Sequence, residues 1–348
     1  MNKPMLPWLH QPLSQALRVQ RGHALLVHGP QGVGQFEFAL ALAQAWLCEA
    51  PAAERADGLA CGRCASCHLV STHGHPDLLV LLPEALREAL GYGSGESEAP
   101  ADGEGKSKAK PSKEIKVEAL RAAVAFAQQT SGRGRAKVVV LHPAERMNAI
   151  SANTLLKTLE EPPGVARFVL SCGAPENLLP TIRSRCQAVR LGLPPTEEAA
   201  AWLREQGLAE AELLLAAAGG QPLAALERAA LGVDAATWKR LPAMAARGEA
   251  AALAGWPLPV VIDALQKLCH DALAQGQGAA PRYFPADSLP DGKTLGRDVS
   301  ALTAWAAELR QAARSAEHPW NAGLMLEAHI LRAKQAFAGG RAKLHSVT

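Results

Sequence analysis

The chain has 348 residues, 48% of them hydrophobic and 20% charged. It is longer than the ~250–300 residues at which single cores stop growing, so two or three domains are expected, and its apolar fraction excludes wholesale disorder. Lys and Arg number 36 against 33 Asp and Glu, a formal charge of +3, which excludes a strongly basic DNA wrapper but not a local basic groove.

No run approaches the roughly 18 apolar residues of a membrane span, so no membrane role is expected. The opening segment, MNKPMLPWLHQPLSQAL, has no apolar stretch of the secretory kind. With seven cysteines, the expected setting is a reducing cytoplasm, where clustered cysteines bind metal more often than they pair.

Residues 9–21 read as a helix, with Leu9, Leu13 and Leu17 along one face. The apolar run 24–28 reads as a buried parallel strand that ends in a glycine-rich turn, GPQGVG, at 29–34. A helix from about Phe36 to Cys48 and a cysteine-rich insert follow, then a second strand at 77–82. Residues 91–113 are almost wholly Gly, Ser, Ala, Pro, Lys, Glu and Asp, a composition that cannot bury a core and predicts a disordered surface loop. A helix at 115–129, a strand at 137–141, a helix at 148–160 closed by Pro162-Pro163, and a strand at 167–170 complete the pattern. Alternating helices and wholly apolar strands indicate a parallel α/β sheet covered on both faces. Beyond Leu191 the chain becomes Ala/Leu-rich and helical, with a break near 243–255 that suggests two all-helical domains. The seven tryptophans are scattered, with no stacking platform for bases.

A phosphate-binding loop has the form GxxxxGK[ST] between a strand and a helix. The frame Gly29, Gly32, Gly34 is present, but the Lys that reaches the phosphates is replaced by Gln35 and the metal-holding hydroxyl by Phe36. The backbone can still offer N–H groups to an anion, or the glycines can simply allow a tight turn.

The glycine loop, the cysteine cluster, the segment from Asn153 to Pro163 (NTLLKTLEEPP) and Thr181-Ile-Arg-Ser-Arg-Cys186 occur in this order. Together they resemble the bacterial clamp-loader branch of the AAA+ superfamily, strongly over residues 6–190 and weakly over the helical remainder. That branch contains ATPase subunits of the gamma/tau type and delta prime subunits with a disabled nucleotide site. The resemblance places the Walker A Lys and Thr at Gln35 and Phe36, and the Walker B Asp-Glu pair at His142 and Pro143. It places sensor 1 near Cys172-Gly173 and sensor 2 at Leu223. Loss of cation, metal ligand, base and both sensors leaves nothing to stabilise phosphoryl transfer, which matches the delta prime type.

Arg185 matches the arginine finger that clamp-loader subunits present to a neighbour's ATP, with Arg183 and Arg190 as competitors nearby. Cys61, Cys64 and Cys67 have the two-residue gaps of a tetrahedral metal site. Cys48 can reach as the fourth ligand, and the resemblance implies the same four-Cys zinc site. His68, His73 or His75 as fourth ligand, free thiols and an iron–sulfur cluster are the alternatives. Arg133, Arg135 and Lys137 form a small basic group, read as a solvated loop in preference to a DNA phosphate contact.

The expected architecture is thus α/β then all-α. It comprises an AAA+ P-loop-type domain over 1–190 with a zinc module (48–67) and an insert (91–113), a helical lid over 191–245, and a C-terminal helical collar over 246–348. The resemblance implies a non-hydrolysing member of a five-subunit ring with three gamma/tau subunits and one delta, carrying one structural zinc and no productive ATP/Mg site. The ring would load a sliding clamp onto primed DNA within the DNA polymerase III holoenzyme. An active gamma/tau-like ATPase and a stand-alone zinc nucleic-acid-binding module are the alternatives.

Overall fold

A computed structural model describes residues 5–20, 22–93, 111–290, 299–316, 318 and 320–338. Five strands form one sheet: β1 (Ala24–His28), β2 (Leu78–Leu81), β3 (Val138–Leu141), β4 (Arg167–Cys172) and β5 (Gln187–Arg190). Their order is β2-β3-β4-β1-β5 and every pairing is parallel. Parallel strands need crossover connections, and the helices that supply them cover the faces. The helices of this unit are α1 (His10–Val19), α2 (Gln35–Leu47), α3 (Ala65–Ser71), α4 (Glu84–Arg87), α5 (Val117–Gln128), α6 (Ala149–Glu160) and α7 (Pro180–Arg183).

Side chains alternate across the sheet. Leu26, Val139, Leu141, Phe168 and Leu170 join Leu120, Ala123, Leu155, Leu159 and Ile182 in one core, beneath α5, α6 and α7. The alternate residues Leu25, Val27, Val138, Val140 and Val169 are all buried and point to the opposite face, where α2 packs on β1, β3 and β4.

The four predicted strands are present, with β4 running on to Cys172. The strand β5 is additional: it pairs only with β1, and only Val189 of it is buried. Of the 91–113 insert, residues 94–110 lie outside the described residues. Tyr92, at its start, is packed against His73 and does not belong to a solvated loop.

The basic group at 133–137 also differs from expectation. Lys137 is not solvated: it is 6% exposed and pairs at 3.0 Å with Asp77, which is 0% exposed. Asp77 also accepts hydrogen bonds from Gly132 N–H, Arg133 N–H and Ser131 Oγ at 2.8–2.9 Å. Burial opposes its charge, but these bonds together with Lys137 outweigh that and hold its carboxyl down at about 2. Arg133 and Arg135 in turn bind Glu49, at its carboxylate and carbonyl respectively. Asp77→Ala leaves Lys137 buried without its partner and should cost about 3–5 kcal/mol of unfolding free energy, readable by denaturant titration. The wild-type contribution should be complete above pH 4 and fade as pH falls towards 2, because the folded carboxyl titrates below the unfolded one. An Asp77→Ala protein with the wild-type acid-denaturation midpoint would remove the pair from this account.

The chain divides into two compact units, 1–193 and 194–348. The second is helical: α8 (Thr196–Glu205), α9 (Ala211–Ala217), α10 (Pro222–Ala230), α11 (Ala235–Arg247), α12 (Leu258–Gly276), α13 (Val299–Arg314) and α14 (Ala322–Ala338). Its main core runs from Leu214 to Ala336 and includes Trp238, Trp256, Phe284 and Trp305. Trp238 and Phe284 stack with ring centroids 4.6 Å apart. Asp271 is fully buried and accepts three backbone N–H bonds from Arg282, Tyr283 and Phe284, which fixes the loop after α12.

Candidate functional site

The parallel order places the carboxyl ends of β3, β4 and β1 side by side, the position at which open α/β sheets bind ligands. The glycine loop follows β1 there. Gly34 has φ +100, and a Cβ on it would stand 2.7 Å from Leu6 Cδ1, so only glycine fits. Gly29 is excluded from substitution by contact instead: a Cβ would meet Leu191 O at 2.3 Å. The loop is thus built as the sequence predicts, and Trp8 clamps it by donating from Nε1 to Val33 O at 2.9 Å.

The interior of the loop is filled by its own side chains. The Gln35 amide nitrogen donates to Gly29 O and Pro30 O, both at 2.7 Å, so its donors are spent on the loop that would otherwise face phosphate. Phe36, 6% exposed, packs on His142 at 4.9 Å between centroids and edge-on to Tyr92 at 6.1 Å. Tyr92 stacks on His73 at 4.0 Å. Burial pushes the Tyr92 phenol up to about 12 and the His142 imidazole down to about 4, so both are neutral at pH 7. Where a nucleotide site needs a lysine, a hydroxyl and an acid around Mg²⁺, this chain has an amide and a neutral aromatic stack.

Glu145 is a neighbour that sequence reasoning missed. Its Oε1 accepts Gly173 N–H at 2.8 Å, beside Gln31 of the glycine loop. It adds negative charge where phosphate would need cations. Cys172, at the end of β4, is a buried thiol that burial, followed by the charges of Glu145 and Glu176, pushes up to about 12. Leu223, where the resemblance expects sensor 2, lies on α10 in the second unit.

Arg185 follows α7 and turns back towards the end of α6, where Nε donates to Glu160 Oε1 at 2.7 Å and Nη2 donates to the same oxygen. Its competitors face elsewhere. Arg183 lines a cavity of about 480 Å³ with Leu26, His28, Pro180 and Ser184. Arg190 stands opposite His28 in the β1–β5 register, and burial, then the charges of Arg190 and Arg183, lower the His28 imidazole. Cys186 is held as a neutral thiol by burial, at about 12.

The candidate metal centre is assembled from two segments. Cys48 caps the end of α2, and Cys61, Cys64 and Cys67 lead into α3. The four Sγ atoms lie within 4.8 Å of one another, with Cys48–Cys64 and Cys61–Cys67 at 4.0 Å. A tetrahedron with Zn–S bonds of about 2.3 Å has edges of about 3.8 Å, so the cluster can hold a zinc ion with little movement. Backbone N–H groups of Cys61, Cys64 and Cys67 each point at a cysteine sulfur at 3.4 Å. Burial opposes the Cys64 thiolate, but N–H donors from Cys67 and Glu49 outweigh it and bring the thiol down to about 6. Burial, followed by the hydrogen bond to Cys64, pushes Cys67 up. A metal cation is what would let all four be thiolates together. Two of the three candidate histidines are engaged elsewhere. His75 Nε2 meets Ser66 Oγ at 2.6 Å and its Nδ1 accepts Asp77 N–H, while His73 stacks on Tyr92.

Comparison with known proteins bears on the same residues. The family model described as "DNA polymerase III, delta subunit" matches residues 7–194. A Pseudomonas aeruginosa protein, DNA polymerase III subunit delta', is 38% identical over 224 residues, 63% of this chain and 60% of that protein. The chain therefore spans less than two thirds of that relative's length. The Escherichia coli subunit of the same name is 31% identical over 291 residues, 77% of this chain and 78% of its own. A solved Thermotoga maritima gamma subunit-related protein of DNA polymerase III aligns over 95% of this chain and 99% of its own, at 17% identity and a TM-score of 0.46. On the family model and these delta' relatives, the chain belongs to the delta prime family of DNA polymerase III clamp-loader subunits.

Proposed function

We propose that this chain is a non-hydrolysing arm of the DNA polymerase III clamp loader. It joins three gamma/tau subunits and one delta in a five-subunit ring that uses ATP bound by gamma/tau to open a sliding clamp and place it on primed DNA, in the cytoplasm. It contributes Arg185 in trans to a neighbour's nucleotide and hydrolyses none itself. Residues 191–245 serve as the lid and 246–348 as the collar through which the ring assembles. One zinc, held by Cys48, Cys61, Cys64 and Cys67, is structural, because four thiolates leave no open position for substrate.

The observation that carries this reading is the filled loop. Gln35 spends its donors on Gly29 and Pro30, and Phe36, His142 and Tyr92 stack in place of the metal-binding groups. The same packing weighs against a gamma/tau-like ATPase. The pairing of Arg133 and Arg135 with Glu49, and of Lys137 with Asp77, weighs against a stand-alone nucleic-acid module. The test is ATP turnover by the isolated chain, purified free of gamma/tau. Turnover should stay at background with Mg²⁺ and primed DNA present. Turnover that Gly34→Ala abolishes would overturn the reading.

A further inference from the structure

Glu160 is the last residue of α6, and it is joined to Arg185 across 25 residues of chain. A carboxylate at a helix C-terminus is opposed by the helix dipole, so this position does not serve α6 itself. The pair is also a weak source of stability, since the Arg185 side chain is 29% exposed and that of Glu160 48%. What the contact fixes is the orientation of the guanidinium.

A guanidinium carries five N–H donors in a rigid plane. Glu160 Oε1 takes the Nε–H and one Nη2–H, which form one edge of that plane. The Thr181 carbonyl takes an Nη1–H at 2.9 Å. Nη1 also donates to Ser184 Oγ, a longer bond of 3.4 Å, while one N–H on Nη2 has no protein acceptor among the described residues. An oxygen entering at the Nη1/Nη2 terminal edge therefore competes only with the long Ser184 bond. A terminal edge of this kind matches two oxygens of a phosphate.

We propose that Glu160 is the positioning residue of Arg185: it holds the Nε/Nη2 edge so that the Nη1/Nη2 edge is presented outward to a phosphoryl group of the neighbouring subunit. This rests on the reading of Arg185 as acting in trans. Without Glu160 the arginine samples other rotamers, and its fork must be oriented anew at each turnover.

The experiment uses the ring assembled with gamma/tau and delta and measures DNA- and clamp-stimulated ATPase against ATP concentration. Glu160→Ala should lower kcat with little change in KM, by about 10²-fold at the one site served, as expected for a misplaced catalytic group. Glu160→Gln keeps an acceptor oxygen and should recover most of that loss. The double variant Glu160→Ala/Arg185→Ala should match Arg185→Ala alone, and the thermal midpoint of the isolated Glu160→Ala chain should match wild type. Wild-type or raised kcat in Glu160→Ala beside a defective Arg185→Ala would overturn the positioning role and leave the finger standing. So would a loss that adds to that of Arg185→Ala, or failure of Glu160→Ala to enter the ring. Wild-type kcat in Arg185→Ala would instead remove the finger reading itself, and this proposal with it.

Discussion

Replacing any one of Cys48, Cys61, Cys64 or Cys67 with Ser should release the metal and destabilise the first unit by about 4 kcal/mol or more, the range reached when a structural metal is lost. For a domain of this size that corresponds to a Tm lower by roughly 8–16 °C. The physical reason lies in how little apolar burial the segment has of its own. Between Cys48 and Cys64 the chain forms two single 3₁₀ turns with no buried residue. The helix α3 spans seven residues, too short to persist alone, and its N-cap is itself a ligand, Cys64 accepting Cys67 N–H. Purified protein should carry one zinc per chain, and chelation should raise hydrogen exchange across 48–72 before the rest of the unit opens. Full zinc in Cys48→Ser would transfer the fourth position to a histidine. A wild-type Tm in zinc-free protein would contradict the structural role.

The parts of this molecule that could be read in its sequence are those in which neighbours in sequence are neighbours in space. Strands β1 and β3 are continuous apolar runs because both faces are covered, and all of Val138–Leu141 is buried. The glycine loop and the CxxCxxC run are local chemistry. Strand β5 escaped because it lies at an edge: in Gln-Ala-Val-Arg only Val189 is buried, so neither an apolar run nor a strong alternation marks it. The helices α3 and α4 are too short for a periodic signal.

The unread features of the site all depend on topology. Tyr92 and His73 reach the loop after β1 from the connections around β2, and nothing in their own segments announces it. Asp77 organises residues 131–133 from the start of β2, more than 50 positions away. Glu160 lies in the segment from Asn153 to Pro163, and only the fold brings it to Arg185. The two cysteine segments are an intermediate case: spacing gave three ligands, reach from the end of the preceding helix and the resemblance named Cys48 as the fourth, and the fold brings all four sulfurs together.

Arg185→Ala should fold, keep its zinc and enter the ring, because a partly exposed ion pair contributes at most about 1 kcal/mol to stability. On the proposed function, its effect belongs to another subunit. An arginine supplied in trans stabilises charge on the transferring phosphoryl group and contributes about 10³-fold or more at its own site. In the proposed ring the remaining sites keep their own fingers, so the total loss stays partial if they fire independently and deepens if they fire in sequence. Arg185→Lys should recover little, since an ammonium cannot reproduce the planar fork that Glu160 and Thr181 orient. Arg183→Ala and Arg190→Ala are the controls, because Arg183 lines the cavity beside His28 and Arg190 stands opposite His28 in the β1–β5 register. The decisive measurement is therefore DNA- and clamp-stimulated ATP turnover by rings that differ only in this residue. The account predicts a loss in the Arg185→Ala ring and none in the two control rings. Wild-type turnover with Arg185→Ala, together with a defect in either control, would contradict it.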